Sequence, residues 1–230
     1  MWSIKSDVLR NDTLSNLNIK HFITTRKLGN MLDDLMLREV LSRNNIPTDS
    51  LVTAEQVHGN RVHIVRTEDR GKKNPGVDGL IAESEGFALG IFTADCVPLF
   101  VVDKSTKKIG LIHSGWKSLQ KGIIENFMEM FGAKPENIVV VIAPHICDKC
   151  YRVGEPFREY FPDNYRDGNM NLQNEIMRRL IAQKIIERNI DTIDLNRFCT
   201  CHNNDLFFSY RRGDKNSRQI SVLSNGIEEH

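Results

Sequence analysis

Two hydrophobic rhythms alternate along the chain. Short apolar runs with a period of two mark strands, and stretches with apolar side chains every three or four residues mark helices. The strand-like runs cover residues 20–25, 61–66, 77–82, 87–93, 97–102, 108–113, 137–143 and 205–210. Leu32, Met36 and Val40 define one helical stripe, and Leu119, Ile123 and Phe127 define a second. Leu172, Ile176 and Leu180 define a third, continued by Ile181 and Ile185. Strands crowd between residues 50 and 115 with no helical stripe among them, which argues against a regular alternating parallel sheet. The expectation is an α+β domain spanning residues 1–230, with no repeat, low-complexity tract or Pro/Gly/Ser-rich linker.

Composition narrows the function classes. Hydrophobic residues make up 40% and charged residues 27% of the 230, as in an ordinary folded domain. Lys plus Arg is 31 against 30 Asp plus Glu, so no bulk charge draws the chain to nucleic acid or an anionic membrane. No apolar run approaches the roughly 18 residues of a membrane helix, and the first residues lack a basic stretch leading into an apolar one. Five cysteines, an odd count, fit reduced thiols and a cytoplasmic location better than a disulfide framework.

The densest chemistry lies between Thr93 and Lys117, where two apolar runs flank a polar turn at Lys104-Ser105. A symmetric hairpin makes Val102 face Lys107, Val101 face Lys108 and Cys96 face His113. Opposed Cβ atoms are about 4.5–5.5 Å apart, a gap one ion can bridge. Upstream, Gln56-Val57-His58-Gly59-Asn60 sets His58 at a strand end beside turn residues. His58, Cys96 and His113 would leave a fourth position for water or substrate, the arrangement of catalytic zinc. On spacing alone, a packed core cysteine and hydrogen-bonded histidines account for the same residues.

The quoted segments resemble a known family. They are Gln56-Val57-His58-Gly59, Asp78-Gly79-Leu80, Thr93 through Pro98, His113-Ser114-Gly115-Trp116-Lys117, Ala143-Pro144 through Cys150 to Gly154, Cys199-Thr200, and Phe207 through Arg212. The chain is similar to the YfiH/DUF152 family of laccase-domain proteins, labelled first polyphenol oxidoreductases and later purine nucleoside phosphorylases. The resemblance implies zinc on His58, Cys96 and His113. It implies a four-layer α/β/β/α sandwich of mixed β-sheets. It also implies phosphorolysis of adenosine, inosine, guanosine and S-methyl-5'-thioadenosine, with adenosine deamination as a second activity. The chain departs from the family at Arg26 through Asn30, where Arg-x-Gly-Gly is usual. Ser114 and Lys117 replace Ala and Arg, and Cys147, Cys201 and His202 are additional.

Lys117, at a helix start beside His113, is the candidate for a phosphate, with Arg26, Arg211 and Arg212 as further cations for phosphate or ribose. Asp95 reads as a buried hydrogen-bonded carboxylate. Cys147 and Cys150, with Cys199, Cys201 and His202, have the spacing of a second, structural zinc site, although packed thiols without metal are the favoured reading. Three other functions compete with the phosphorylase: a copper polyphenol oxidase, a metal-free hydrolase with Cys96 as nucleophile and His113 as base, and a non-enzymatic binding module. The expected partners are small purine nucleosides and phosphate, with the oligomeric state left open.

Overall fold

The structure is a computed structural model that describes residues 1–227. Its strands are β1 (Trp2–Lys5), β2 (Val8–Asn11), β3 (Lys20–Thr24), β4 (Leu51–Ala54), β5 (Val62–Ile64), β6 (Lys73–Asn74), β7 (Gly79–Ala82) and β8 (Phe87–Thr93). They continue with β9 (Val97–Asp103), β10 (Ile109–Ser114), β11 (Ile138–Ile142), β12 (Tyr165–Arg166), β13 (Asn169–Met170), β14 (Ile190–Asp191) and β15 (Gln219–Asn225). The helices are α1 (Asp12–Asn16), α2 (Asp34–Arg43), α3 (Trp116–Gln120), α4 (Ile123–Phe131), α5 (Pro156–Tyr160), α6 (Leu172–Ala182) and α7 (Leu195–Phe198).

Two mixed sheets form the body, ordered β1-β2-β3-β15-β8-β4-β6 and β14-β11-β9-β10-β7-β5. Side-chain alternation shows how they stack. Along β8, Phe87, Leu89 and Ile91 join the larger apolar cluster, which also takes in β9 and β10, while Ala88 joins a smaller one with Val40 and Leu41 of α2. Ile23 and Leu9 point to the larger cluster, and their neighbours Phe22 and Val8 to the smaller. The larger cluster continues onto α4 and α6 beyond the second sheet. Helix, sheet, sheet, helix is therefore the layer order, an α+β sandwich of the expected kind. Burial on both faces explains why β9 and β10 read as unbroken apolar runs.

Four local expectations are corrected. Residues 205–210 form turns and irregular backbone, because Phe208 N–H donates to the Gln219 side chain and Phe207 N–H to the Asn203 carbonyl, leaving no ladder to join. The strand in that region is β15, which sits between β3 and β8. Leu32 precedes α2, whose N-cap is Asp33, and Ile181 is largely exposed. The stripe Leu119, Ile123, Phe127 spans two helices, broken at Gly122 with φ +80°.

The hairpin exists, but its register differs: Val102 pairs with Ile109, and His113 with Pro98. The Asp103 carboxylate accepts hydrogen bonds from Ser105 N–H, Ser105 Oγ and Thr106 Oγ1, and Lys107 turns into the left-handed region at φ +62°. This longer turn moves Cys96 from opposite His113 to the diagonal position two residues beyond Pro98.

α4 lies close to the second sheet because β10 carries glycine under it. A Cβ on Gly110 would lie 2.2 Å from Phe127 Cζ. Gly110→Ala should cost about 1–3 kcal/mol by overpacking, read as a lower denaturation midpoint. Adding Phe127→Leu should recover part of that loss, and a Gly110→Ala protein of unchanged stability would show that α4 is free to move.

Candidate metal centre

β4 and β8 of one sheet end near the start of β9 and the end of β10 in the other, and the three predicted ligands gather there. Their donor atoms all lie within 4.8 Å of one another. Cys96 Sγ is 3.9 Å from His58 Nε2, and the two imidazole rings are 4.8 Å apart at 77°. An ion with tetrahedral bonds of about 2.3 Å to sulfur and about 2.0–2.1 Å to nitrogen spaces such donors ~3.6 Å apart, so Cys96 and His58 need only a few tenths of an ångström of closure to share one.

Asp78, wholly buried just before β7, organises the centre. Its carboxylate accepts hydrogen bonds from the backbone N–H groups of Val57 (3.2 Å), His58 (3.0 Å) and Gly59 (2.7 Å). It also accepts from His113 Nδ1 at 2.7 Å, and the Asp78 carbonyl accepts His113 N–H at 2.7 Å. One side chain thus fixes the loop that carries His58, held at φ +56°, and the tautomer of His113, whose Nε2 is left for a ligand. Sequence reading places His58 at a strand end; it lies within the loop between β4 and β5.

Cys96 is held from the other side. Asp95, at φ +94°, makes a bend before β9, and its carboxylate accepts from Thr200 Oγ1 (2.6 Å), Ser209 Oγ (3.0 Å) and Arg211 N–H (2.7 Å). Such a backbone state costs a non-glycine residue about 1–3 kcal/mol and persists because these bonds hold it. Gly115 completes the enclosure: a Cβ there would lie 2.9 Å from Cys96 Sγ and 3.1 Å from His58 Cδ2.

The electrostatics favour a thiolate. Burial opposes charge on Cys96, but His113 and then His58 outweigh it and bring the thiol down to about 6. Burial likewise opposes charge on His113, but the Cys96 sulfur and the Asp78 carboxylate raise it to about 9. Asp78 is held below the usual carboxylate range despite its burial, chiefly by its bond to His113.

The centre opens into a cavity of about 700 Å³, within the usual range for small-molecule sites. Phe92, Trp116, Tyr151 and Tyr210 supply aromatic walls, and Lys117, Arg211, Lys215 and Arg218 supply positive charge. Arg26 and Arg212, expected to contact substrate, are not among the lining residues. Arg26 binds Asn204 and lies 3.6 Å from Asp214, and Arg212 donates to the carbonyls of Thr200, Cys201 and Phe207 and to Asp214. Each is committed to folding the 199–214 segment. α3 is only five residues long, so Lys117 brings its own charge more than a helix dipole. The role of Asp78 is not evident from sequence patterns, and its one signal there is a lone carboxylate at the head of an otherwise apolar strand.

Fold and centre together define a four-layer sandwich with a His₂Cys group in the lining of a cavity. The family model described as multi-copper polyphenol oxidoreductase laccase matches residues 36–225, and the chain belongs to this family, the YfiH/DUF152 group. A relative from Bacteroides thetaiotaomicron named purine nucleoside phosphorylase is 29% identical over 97% of this chain and 98% of its own. The purine nucleoside phosphorylase YlmD of Geobacillus stearothermophilus is 31% identical over 72% of this chain and 68% of its own. The crystal structure of YlmD from Geobacillus stearothermophilus superposes with a TM-score of 0.88 at 24% identity, over 97% of this chain and 98% of that one.

In metal-stripped protein, alkylation of Cys96, followed by peptide mass mapping, should rise with pH around a midpoint near 6. An ordinary thiol would show a midpoint near ~8.5. Asp78→Asn should raise the midpoint and weaken metal binding by about 10–100-fold. Unchanged metal affinity in that variant would remove Asp78 from the centre.

Proposed function

We propose that the chain is a zinc-dependent purine nucleoside phosphorylase, acting on adenosine, inosine, guanosine and S-methyl-5'-thioadenosine, with adenosine deamination as a second reaction. The observation that carries this reading is a three-donor His₂Cys group lining a cavity together with aromatic and cationic side chains. The names of the relatives point to the same substrate class.

Phosphorolysis joins a phosphate oxygen to C1′ of the sugar and breaks the N-glycosidic bond, with the bonding electrons leaving on the base. The protein must hold phosphate in line, orient the purine and exclude water. Trp116, Tyr151 and Phe92 offer flat apolar surface to a purine ring. Lys117, Arg211 and Lys215 bring cations to a dianionic phosphate. Zinc on His58, Cys96 and His113 would supply Lewis acidity toward an oxygen of a reactant. Asp78 keeps His113 Nε2 directed at that position.

A multicopper oxidase fits the donor supply poorly. Of the seven histidines, His58 and His113 stand in this centre, His202 lies in a separate group, His21, His63 and His145 lie in no metal-ligand cluster among the described residues, and His230 lies outside those residues. A metal-free hydrolase has one specific observation in its favour, the Cys96–His113–Asp78 series with its lowered thiol.

Cys96→Ala should remove metal from this centre and lower phosphorolysis of inosine by at least about 10³-fold, while the fold persists. Lys117→Ala should raise the KM for phosphate more than the KM for the nucleoside. Activity that survives complete chelation but is lost on thiol alkylation would favour the hydrolase instead.

A further inference from the structure

A second group of ligand-type side chains lies apart from the first. Cys147, Cys150, Cys199 and His202 bring four donor atoms within 4.8 Å of one another. Cys147 and Cys150 flank a short turn after β11, and Cys199 and His202 follow α7, so two distant parts of the chain meet here. None of these cysteines is in a disulfide. Cys201, grouped with them on sequence grounds, is outside the set.

We propose that these residues form a closed, structural Cys₃His zinc site, independent of the centre at His58, Cys96 and His113. The distances from His202 to Cys147 and Cys150 fit a tetrahedral ion. His202 Nδ1 is 3.7 Å from Cys147 Sγ and 3.6 Å from Cys150 Sγ, against the ~3.6 Å that a shared zinc imposes on sulfur and nitrogen. The surrounding bonds are those such a site needs. His202 Nε2–H donates to the Asn196 carbonyl at 3.1 Å, which leaves the Nδ1 lone pair facing the sulfurs. Cys147 N–H donates to Cys199 Sγ at 3.2 Å, a contact that stabilises a thiolate. Binding would release the three thiol protons to solvent, with no change of oxidation state.

The location gives the site a purpose. Thr200, next to Cys199, donates through its N–H to the His145 carbonyl and through Oγ1 to Asp95, the residue before Cys96. Ile146 and Tyr151, on either side of the Cys147–Cys150 turn, line the cavity, as do Tyr210 and Arg211 beyond His202. A metal clasp between the two segments would fix one wall of the catalytic cavity without touching the reaction.

The test uses full-length Cys96→Ala protein, in which the first centre has lost its thiolate, so the result does not depend on the proposed activity. Purified under reducing conditions, stripped and titrated with cobalt(II) alone, it should bind about one equivalent with an intense near-ultraviolet thiolate-to-cobalt charge-transfer band. Zinc should displace the cobalt and raise the melting temperature. Adding Cys150→Ser or His202→Ala, neither at a fully buried position, should weaken binding at least about tenfold and dim the cobalt spectrum. No charge-transfer band, a band unaffected by both added substitutions, or a disulfide among Cys147, Cys150 and Cys199 in the reduced preparation would overturn the proposal.

Discussion

The buried carboxylate of Asp78 is the constraint on which the centre depends. A carboxylate removed from water is costly unless its oxygens are taken up by donors. Here three consecutive backbone N–H groups and an imidazole occupy them. The same bonds that stabilise the charge hold an irregular loop against β10, so the position of His58 relative to His113 is fixed by electrostatics more than by secondary structure. Gln56, bonded twice to the Phe92 backbone, and Lys121, bonded to the His58 carbonyl, also tie down the β4–β5 loop, but Asp78 joins the left-handed His58 directly to His113.

Around that anchor, the sandwich supplies rigidity. Cys96 and His113 sit at the ends of β9 and β10, whose side chains are buried on both faces. Strands packed on both sides cannot shift without opening cavities, so ligands at their ends keep their spacing. Asp95 plays a part on the Cys96 side that mirrors Asp78 on the histidine side, since its bonds to Thr200, Ser209 and Arg211 tie the bend before β9 to the chain's later segments. Two buried carboxylates thus brace the His₂Cys group from opposite directions, and the cations that line the cavity are carried on more exposed segments.

Much of this was legible in the sequence, and the failures have physical causes. Strands buried on both faces announce themselves as apolar runs, so β7 to β11 were read nearly to the residue. Cys96 and His113 stand out with them because they flank one hairpin. The register differs from the symmetric one because Asp103 caps a longer turn with its own side chain, a bond that no periodicity reveals. Residues 205–210 read as a strand in sequence through the apolar Leu206, Phe207 and Phe208, whereas the backbone of Phe207 and Phe208 is satisfied by Asn203 and Gln219. Arg26 and Arg212 drew attention as cations, but charge alone does not distinguish a guanidinium that binds substrate from one that binds carbonyls. Arg212 binds three. Asp78 went without a role because its partners are backbone groups of a loop far away in sequence.

The most direct test of the functional account is the fate of the sugar. Zinc-loaded protein is incubated with inosine, with and without inorganic phosphate, and the products are identified by mass. The account predicts hypoxanthine and ribose 1-phosphate in equal amounts, formed only when phosphate is present. Free ribose appearing at the same rate without phosphate would contradict it.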